Sequence, residues 1–219
     1  YAIGSPFLYL CKLKGFNYDT YNNQGEGTIL FPSKTTYDEK RFNTDEDLIK
    51  IAIKNYPPPY AVSLFHSDQT SDLVNLYKNY GFKILGFGKR TDSDFLDQFY
   101  DAVMKKKYVL SNEPSTAILY SMYLGKKCQI NLDSSKINKL SLKPYARVKN
   151  FLNSDKLLSD YKLILKGQLS LKEQFEIAKF QLGYDYLLNQ AELIKILGWS
   201  NFIKKFYSKL ISKYIDLKQ

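Results

Sequence analysis

The chain has 219 residues, of which 44% are hydrophobic and 25% are charged, and this composition is typical of a folded globular protein rather than a disordered one. Its apolar runs, such as residues 60–65, are far shorter than the roughly 20 residues that a membrane-spanning helix needs. Two cysteines are too few for a disulfide framework, and a single histidine disfavours a Cys/His metal site. Reduced thiols in the cytoplasm are the simplest interpretation.

The formal net charge of +10 is unevenly distributed along the chain. Residues 1–134 contain 16 Lys and Arg against 15 Asp and Glu, so the remaining 85 residues contain 16 against 7. The excess of positive charge therefore belongs to the last third of the chain. We expect an anionic surface to meet that part, and we look for a different chemistry in the first two thirds.

Short apolar runs bounded by turn residues alternate with helical patterns in the first 134 residues. The predicted strands are residues 27–32, 60–65, 82–88, 108–111 and 127–132. Between them lie a helix with Thr44 as a candidate N-cap, a helix that ends at Gly81, a helix from Phe95 to Met104, and a helix over residues 115–124. This order predicts an α/β fold with a Rossmann-like parallel sheet and flanking helices.

The chain beyond residue 134 is predicted to be a basic helical extension. Helical stretches are expected at 154–166, 170–182 and 190–197. In the final segment, apolar residues recur at i, i+3, i+4, i+7 and onwards, beginning with Trp199, Phe202 and Phe206, while Lys204 and Lys205 occupy the other face. Such a helix either lies in a membrane interface with its lysines toward anionic lipid, or packs on protein.

Polar residues follow four of the predicted strands, where ligands bind in open parallel sheets. Ser115 and Thr116 begin the helix after the fourth strand, so hydroxyls and backbone N–H groups stand together at its positive end and suit a phosphate. The chain lacks a GxGxxG motif and a Walker loop, which disfavours nicotinamide dehydrogenases and the common NTPases. The groups that follow the other strands are Lys34, His66, Gly88, Lys89 and Arg90.

The run YVLSNEPSTAILYSMYLGKKC at 108–128 resembles the strand, polar loop and helix that bind the donor diphosphate in GT-B type glycosyltransferases. GSPFLYL, TILFPSKTT, FHSD, YGFKILGFGKRTDSDFLDQFY and EQFEIAKFQLGYDY are similar, in order and spacing, to the C-terminal half of bacterial surface-polysaccharide transferases of that type. The likeness covers most of residues 2–197 and depends on the order of these segments.

The resemblance implies a donor-binding domain for a nucleotide-sugar at residues 15–134, with Ser111, Asn112, Ser115 and Thr116 near the phosphates. Lys89 and Arg90 would lie near phosphate or base. Residues 1–14 would be a linker or the end of a missing N-terminal domain, which would carry the acceptor site. Residues 135–219 would be the basic helical extension that ends in an amphipathic helix. The resemblance further implies a glycan or lipid-linked acceptor, no cofactor and no metal. It also implies a cytoplasmic location, at the inner face of the membrane.

No catalytic residue is assigned, and His66 and Glu113 are the candidates. Glu113 departs from the expected pattern, because a carboxylate beside a diphosphate repels it unless it faces a sugar or ribose hydroxyl. A nucleotide-sugar epimerase would use His66, Asp68 and Glu113 as acid and base groups. A non-catalytic module that binds a nucleotide or polyanion is the third possibility. Nucleic-acid binding is disfavoured, because the lysines and aromatics of the last helix lie on opposite faces.

Overall fold

Five parallel strands form one sheet in the order β3-β2-β1-β4-β5. The computed structural model describes residues 3–32, 41–113, 115–131, 160, 163–164 and 167–197. The strands are β1 (Thr28–Leu30), β2 (Tyr60–Ser63), β3 (Lys83–Leu85), β4 (Tyr108–Ser111) and β5 (Lys127–Ile130). The helices are α1 (Pro6–Leu13), α2 (Tyr18–Tyr21), α3 (Arg41–Asn55), α4 (Ser71–Asn79), α5 (Phe95–Met104), α6 (Thr116–Tyr123), α7 (Leu171–Gln181) and α8 (Gln190–Leu197). The predicted parallel α/β class is confirmed.

The strand order reverses between β1 and β4. From β1 the chain winds outward through β2 and β3, and then returns to the other side of β1 to form β4 and β5. Thr28 pairs with Tyr60 on one side and with Tyr108 on the other, so β1 is the central strand. In sheets of this kind a crevice opens beyond the carboxyl ends of the two strands that flank the reversal.

The two faces of the sheet are covered by different helices because alternate strand residues point to opposite sides. Ile29 and Val109 belong to a core with α1, α5, α6 and α7, whereas Leu30 and Leu110 belong to a core with α3 and α4. All four of these side chains are at most 1% exposed. A sheet buried on both faces explains why the strands read as continuous apolar runs.

One local expectation differs from the structure, and one helix was not predicted. Helix α3 already includes Thr44, so the prediction that Thr44 caps its start is wrong; the signal was incomplete, since Asp47 stands where a capping box has Glu or Gln. Residues 1–14, expected to be a linker or the end of a preceding domain, contain α1, in which Ser5 is the N-cap and Pro6 occupies the first turn. Phe7 of α1 is fully buried and stacks on Tyr120 with ring centroids 4.1 Å apart.

The described part of the helical extension packs on the sheet domain. Helix α7 begins with a capping box in which Ser170 and Glu173 bond each other's backbone N–H groups. Phe175 stacks on Tyr123 at 5.2 Å, and the Gln174 side chain accepts a hydrogen bond of 3.0 Å from the backbone N–H of Cys128. Most of the helix expected at 154–166, and the whole of the amphipathic segment 199–219, lie outside the described residues. No described helix is long and apolar enough to cross a membrane.

Candidate functional site

Ser111 ends β4 at the strand-order reversal, and its hydroxyl is engaged by the protein's own backbone. The Oγ atom lies 2.6 Å from the carbonyl O of Phe31 and 2.8 Å from that of Glu113, and it accepts a bond of 3.3 Å from the Glu113 N–H. The residue is fully buried. Ser111 is thus placed next to the expected phosphate site, where it fixes the loop, but its hydroxyl points into the protein.

The N-terminus of α6 opens toward this crevice. Ser115 is the N-cap in extended backbone conformation, and its Oγ accepts a 3.4 Å hydrogen bond from the Ile118 N–H. Thr116, the first residue of the helix, has an exposed side chain. Within the described residues, the N–H groups of Thr116 and Ala117 have no acceptor. Two amide donors therefore remain for an anion at the positive end of the helix.

Asn112 and Glu113 form the loop between β4 and α6, and they differ in exposure. Asn112 is 8% exposed and Glu113 is exposed, and both have partners within the protein. The Glu113 backbone is held by Ser111 on both its N–H and its carbonyl side. The loop is consequently fixed in place, with Glu113 at the protein surface.

The groups that follow β2 and β3 gather in a second place on the same edge. The Arg90 guanidinium lies 5.6 Å from the centre of the Phe65 ring, and the exposed His66 ring lies 4.7 Å from the same ring. Gly88 has φ +76°, and the Lys89 N–H donates a 2.8 Å hydrogen bond to Asp92 Oδ2. This tight turn leaves the Lys89 and Arg90 side chains exposed.

The two places are separated along the edge of the sheet. Three strand spacings, about 14 Å, separate β3 from β4, and two spacings, about 10 Å, separate β4 from β2, where Arg90 contacts Phe65. An extended ligand would be needed to meet both places. Lys34, which the sequence analysis placed opposite this helix end, lies outside the described residues.

No family model, curated protein or solved structure matches this chain. The site must therefore be interpreted from its own residues.

Two contributors to this edge were not foreseen from the sequence. Asp92 closes the turn after β3 on the Lys89 N–H, and a Cβ atom on Gly86 would stand 2.8 Å from the Gln69 amide nitrogen, so the β2 and β3 loops are packed against each other. The sequence did contain a signal for this turn, because Gly88 precedes Lys89 and an Asp follows it three residues later.

The described loops at this edge have mixed charge, and they gather no metal ligands. These loops contain two cationic residues, Lys89 and Arg90. They contain four carboxylates, those of Asp68, Asp92, Asp94 and Glu113. In the described residues no three His, Cys, Asp or Glu side chains group as they would around a metal ion. Among the described residues at this edge, the helix N–H groups are therefore better suited to hold an anion than the side-chain charges are.

Proposed function

We propose that the chain is the donor-binding part of a GT-B type glycosyltransferase, which takes a nucleotide-sugar for assembly of a cell-surface glycan. One observation carries the proposal: the strand order sets the loop from Ser111 to Thr116 beside the end of β1, at the reversal where open parallel sheets bind nucleotides. The sequence resemblance of residues 108–128 to donor-binding segments points to the same loop.

In this proposal the helix end stabilises the departing nucleoside diphosphate. As the acceptor oxygen bonds to the anomeric carbon, the bond from that carbon to the β-phosphate oxygen breaks, and negative charge grows on the diphosphate. The N–H groups of Thr116 and Ala117 and the exposed Thr116 hydroxyl then donate to its oxygens. The proton of the acceptor passes to a base outside this chain, in the N-terminal domain that the resemblance implies.

Glu113 and the cluster around Phe65 have roles at the two ends of the donor. The exposed Glu113 carboxylate accepts hydrogen bonds from a sugar or ribose hydroxyl, which resolves the repulsion expected against a diphosphate. Arg90 and His66, which both contact Phe65 at the end of β2, about 10 Å from β4 by strand spacing, flank the nucleoside or the sugar.

A nucleotide-sugar epimerase is less well supported. It would need His66, Asp68 and Glu113 around one sugar ring, but two strand spacings separate the ends of β2 and β4. A non-catalytic nucleotide-binding module would bind the same ligands. It would differ from the transferase in one respect: the complete protein would show no turnover of the nucleotide-sugar when an acceptor is added.

Thermal unfolding with UDP-, GDP-, CDP- and CMP-sugars at millimolar concentration tests the donor site. We expect at least one of them to raise the unfolding temperature of the wild-type chain. Ser115→Asp keeps a good N-cap but places a carboxylate at the helix end, so it should abolish this increase. Asn17→Asp is the matched control, because Asn17 caps α2 and lies outside the crevice.

The variant pair makes the result specific. Both substitutions add one negative charge at a helix N-cap, so a general effect of charge or capping would change both chains alike. A loss of nucleotide stabilisation in Ser115→Asp alone supports the site. Equal responses of the two variants, or no response of the wild type to any nucleotide, would reject it.

The basic last third supports a second part of the proposal, attachment to the inner face of the membrane through Trp199, Phe202 and Phe206 with Lys204 and Lys205 toward lipid. Co-sedimentation with anionic vesicles of the full chain and of a chain that ends at residue 198 tests this. Equal sedimentation of the two forms would remove the role of the last segment.

A further inference from the structure

The edge of the sheet opposite the candidate site is lined by lysines. Between α3 and β5 the chain passes four times from a helix to a strand, and each passage, taken from the last two helical residues to the first strand residue, contains at least one lysine with an exposed or half-buried side chain. In a parallel sheet all such passages lie at the amino ends of the strands. We call these seven residues the lysine edge: Lys54, Lys78, Lys83, Lys105, Lys106, Lys107 and Lys127.

This positive charge is separated from the negative charge of the same domain. Residues 1–134 are almost neutral, with 16 basic and 15 acidic residues. With the buried Lys126, eight of the 16 basic residues and none of the 15 acidic residues lie in these four passages, which are residues 54–60, 78–83, 103–108 and 122–127. Glu26, in the connection from α2 to β1, is a carboxylate at this same edge, and its charge acts on Lys106. The charge of the domain is therefore strongly polarised, even though its sum is close to zero.

Helix capping accounts for only part of this set. Lysines in the last turn of a helix interact favourably with its negative end, which explains Lys54 and Lys78. Lys83 and Lys127, however, are the first residues of β3 and β5, and Lys107 directly precedes β4. These three lie beyond the helix ends and need another explanation.

Lysines of different connections lie close together. The Lys106 ammonium donates a 2.8 Å hydrogen bond to the carbonyl O of Pro59, at the start of β2, so it extends across the end of β1. Burial lowers the pKa of Lys106, and the charge of Lys83 lowers it further, against an opposite effect of Glu26. Lys83 and Lys106, which belong to different passages, are therefore close enough for their charges to interact.

We propose that the lysine edge is a docking surface for an anionic phospholipid bilayer. All its cations are lysines, which act as point charges on flexible stems and suit a diffuse anionic surface, whereas recognition of nucleic acid favours Arg and exposed stacking rings. Apolar groups accompany them: Ile53 is 41% exposed, and the prolines at 57–59 are exposed. Tyr56 and Tyr60 are half-buried there, a placement that suits a membrane interface.

Docking through this edge orients the domain. The strands point away from the bilayer, so the opposite edge, with Ser115 and Thr116, faces the aqueous phase from which a soluble ligand arrives. This inference does not depend on the identity of that ligand. It also involves residues separate from the terminal segment 199–219.

Co-sedimentation with phosphatidylcholine vesicles that contain phosphatidylserine, compared with pure phosphatidylcholine vesicles, tests the proposal in the full chain. A triple variant, Lys83→Gln, Lys107→Gln and Lys127→Gln, removes three charges that no helix end requires. The matched control is Lys12→Gln, Lys50→Gln and Lys195→Gln, which removes three charges from exposed positions on α1, α3 and α8. All chains are first compared by thermal unfolding.

We expect the wild type to bind only the anionic vesicles, the triple variant to bind them at least about tenfold more weakly, and the control variant to bind nearly as well as the wild type. Equal binding of the triple variant and the wild type would overturn the proposal. So would tighter binding of the wild type to a single- or double-stranded oligonucleotide than to the anionic vesicles, because the lysine edge would then serve a nucleic acid.

Discussion

The hydroxyl of Ser111 lies 2.6 Å from the carbonyl O of Phe31, and it thereby joins the ends of the two strands between which the sheet order reverses. The backbone N–H of Phe31 in turn donates a 2.8 Å hydrogen bond to the Leu110 carbonyl. Both bonds hold β1 and β4 together at the mouth of the candidate site. The position of the loop from Asn112 to Ser115 therefore depends on one buried hydroxyl.

Ser111→Ala should lower the free energy of unfolding by about 1–3 kcal/mol, since it leaves a buried carbonyl without its donor. Ser121→Ala is the control: Ser121 is equally buried, but its hydroxyl bonds only the Ala117 carbonyl one turn earlier in the same helix. That substitution should change stability by less than about 0.5 kcal/mol. Urea unfolding of the three chains measures both values. A similar loss in the two variants would show that the bond to Phe31 contributes no more to the free energy of unfolding than a bond within one helix does.

Gly27→Ala should be far more destabilising than Gly81→Ala. Both glycines have positive φ, +66° and +79°, so alanine is strained at either position by about 1–2 kcal/mol. A Cβ atom at Gly27 would stand only 2.5 Å from the backbone N of Pro59, whereas at Gly81 it would meet nothing within 4 Å. We expect Gly81→Ala to fold with a modest loss and Gly27→Ala to lose at least about 4 kcal/mol, or not to fold. Equal thermal unfolding temperatures of the two variants would contradict the close approach.

Local sequence signals predicted the elements better than their arrangement. Residues 108–111 form β4 as expected, because a short apolar run there is bounded by lysines and by Asn112. Residues 82–88 were predicted as a longer strand than Lys83–Leu85, since the packing of Gly86 against Gln69 depends on a neighbouring loop. Helix α1 was missed, although Ser5 and Pro6 carry a recognisable start signal.

The candidate site could be predicted only in part. Ser115 caps α6 as the hydroxyl residue at a helix start should, because capping is a local interaction. The contact between Ser111 and Phe31 joins residues 80 positions apart, and hydrophobic periodicity carries no information on strand order. The sequence likewise grouped Lys89 and Arg90 with Ser115, whereas the order of the sheet separates them by two intervening strands.

Lys126 should make the stability of the protein depend on pH in the alkaline range. Its ammonium is fully buried and donates 3.0 Å hydrogen bonds to the carbonyls of Gln24 and Met104, and burial lowers its pKa to about 8. The unfolded chain keeps this proton up to about pH 10.5, so unfolding takes up a proton between these two pH values. The free energy of unfolding should therefore rise with pH through this window, by about 3 kcal/mol from this group.

Lys126→Met isolates that contribution. The variant lacks the titrating group and leaves two carbonyls without a donor, so it should be less stable than the wild type throughout. The difference between the two chains should increase from pH 8 to pH 10.5 in urea unfolding experiments. With Lys195→Met, which changes an exposed side chain on α8, the difference should stay constant. A constant difference for Lys126→Met as well would show that the buried amine keeps its proton.

Tyr77→Phe tests a buried polar contact in the second core. Tyr77 is fully buried, and its hydroxyl donates a 3.2 Å hydrogen bond to the carboxyl of Asp45, which is also fully buried. Removal of the hydroxyl keeps the ring against Phe82 but should lower the free energy of unfolding by about 2 kcal/mol, because Asp45 loses a donor away from water. Tyr80→Phe removes a bond of equal length to Glu46, a half-buried residue that water can reach, and should cost less than about 1 kcal/mol. Urea unfolding of the two variants and the wild type measures both losses. If the free energy of unfolding falls equally in the two variants, burial does not strengthen the Tyr77 contact.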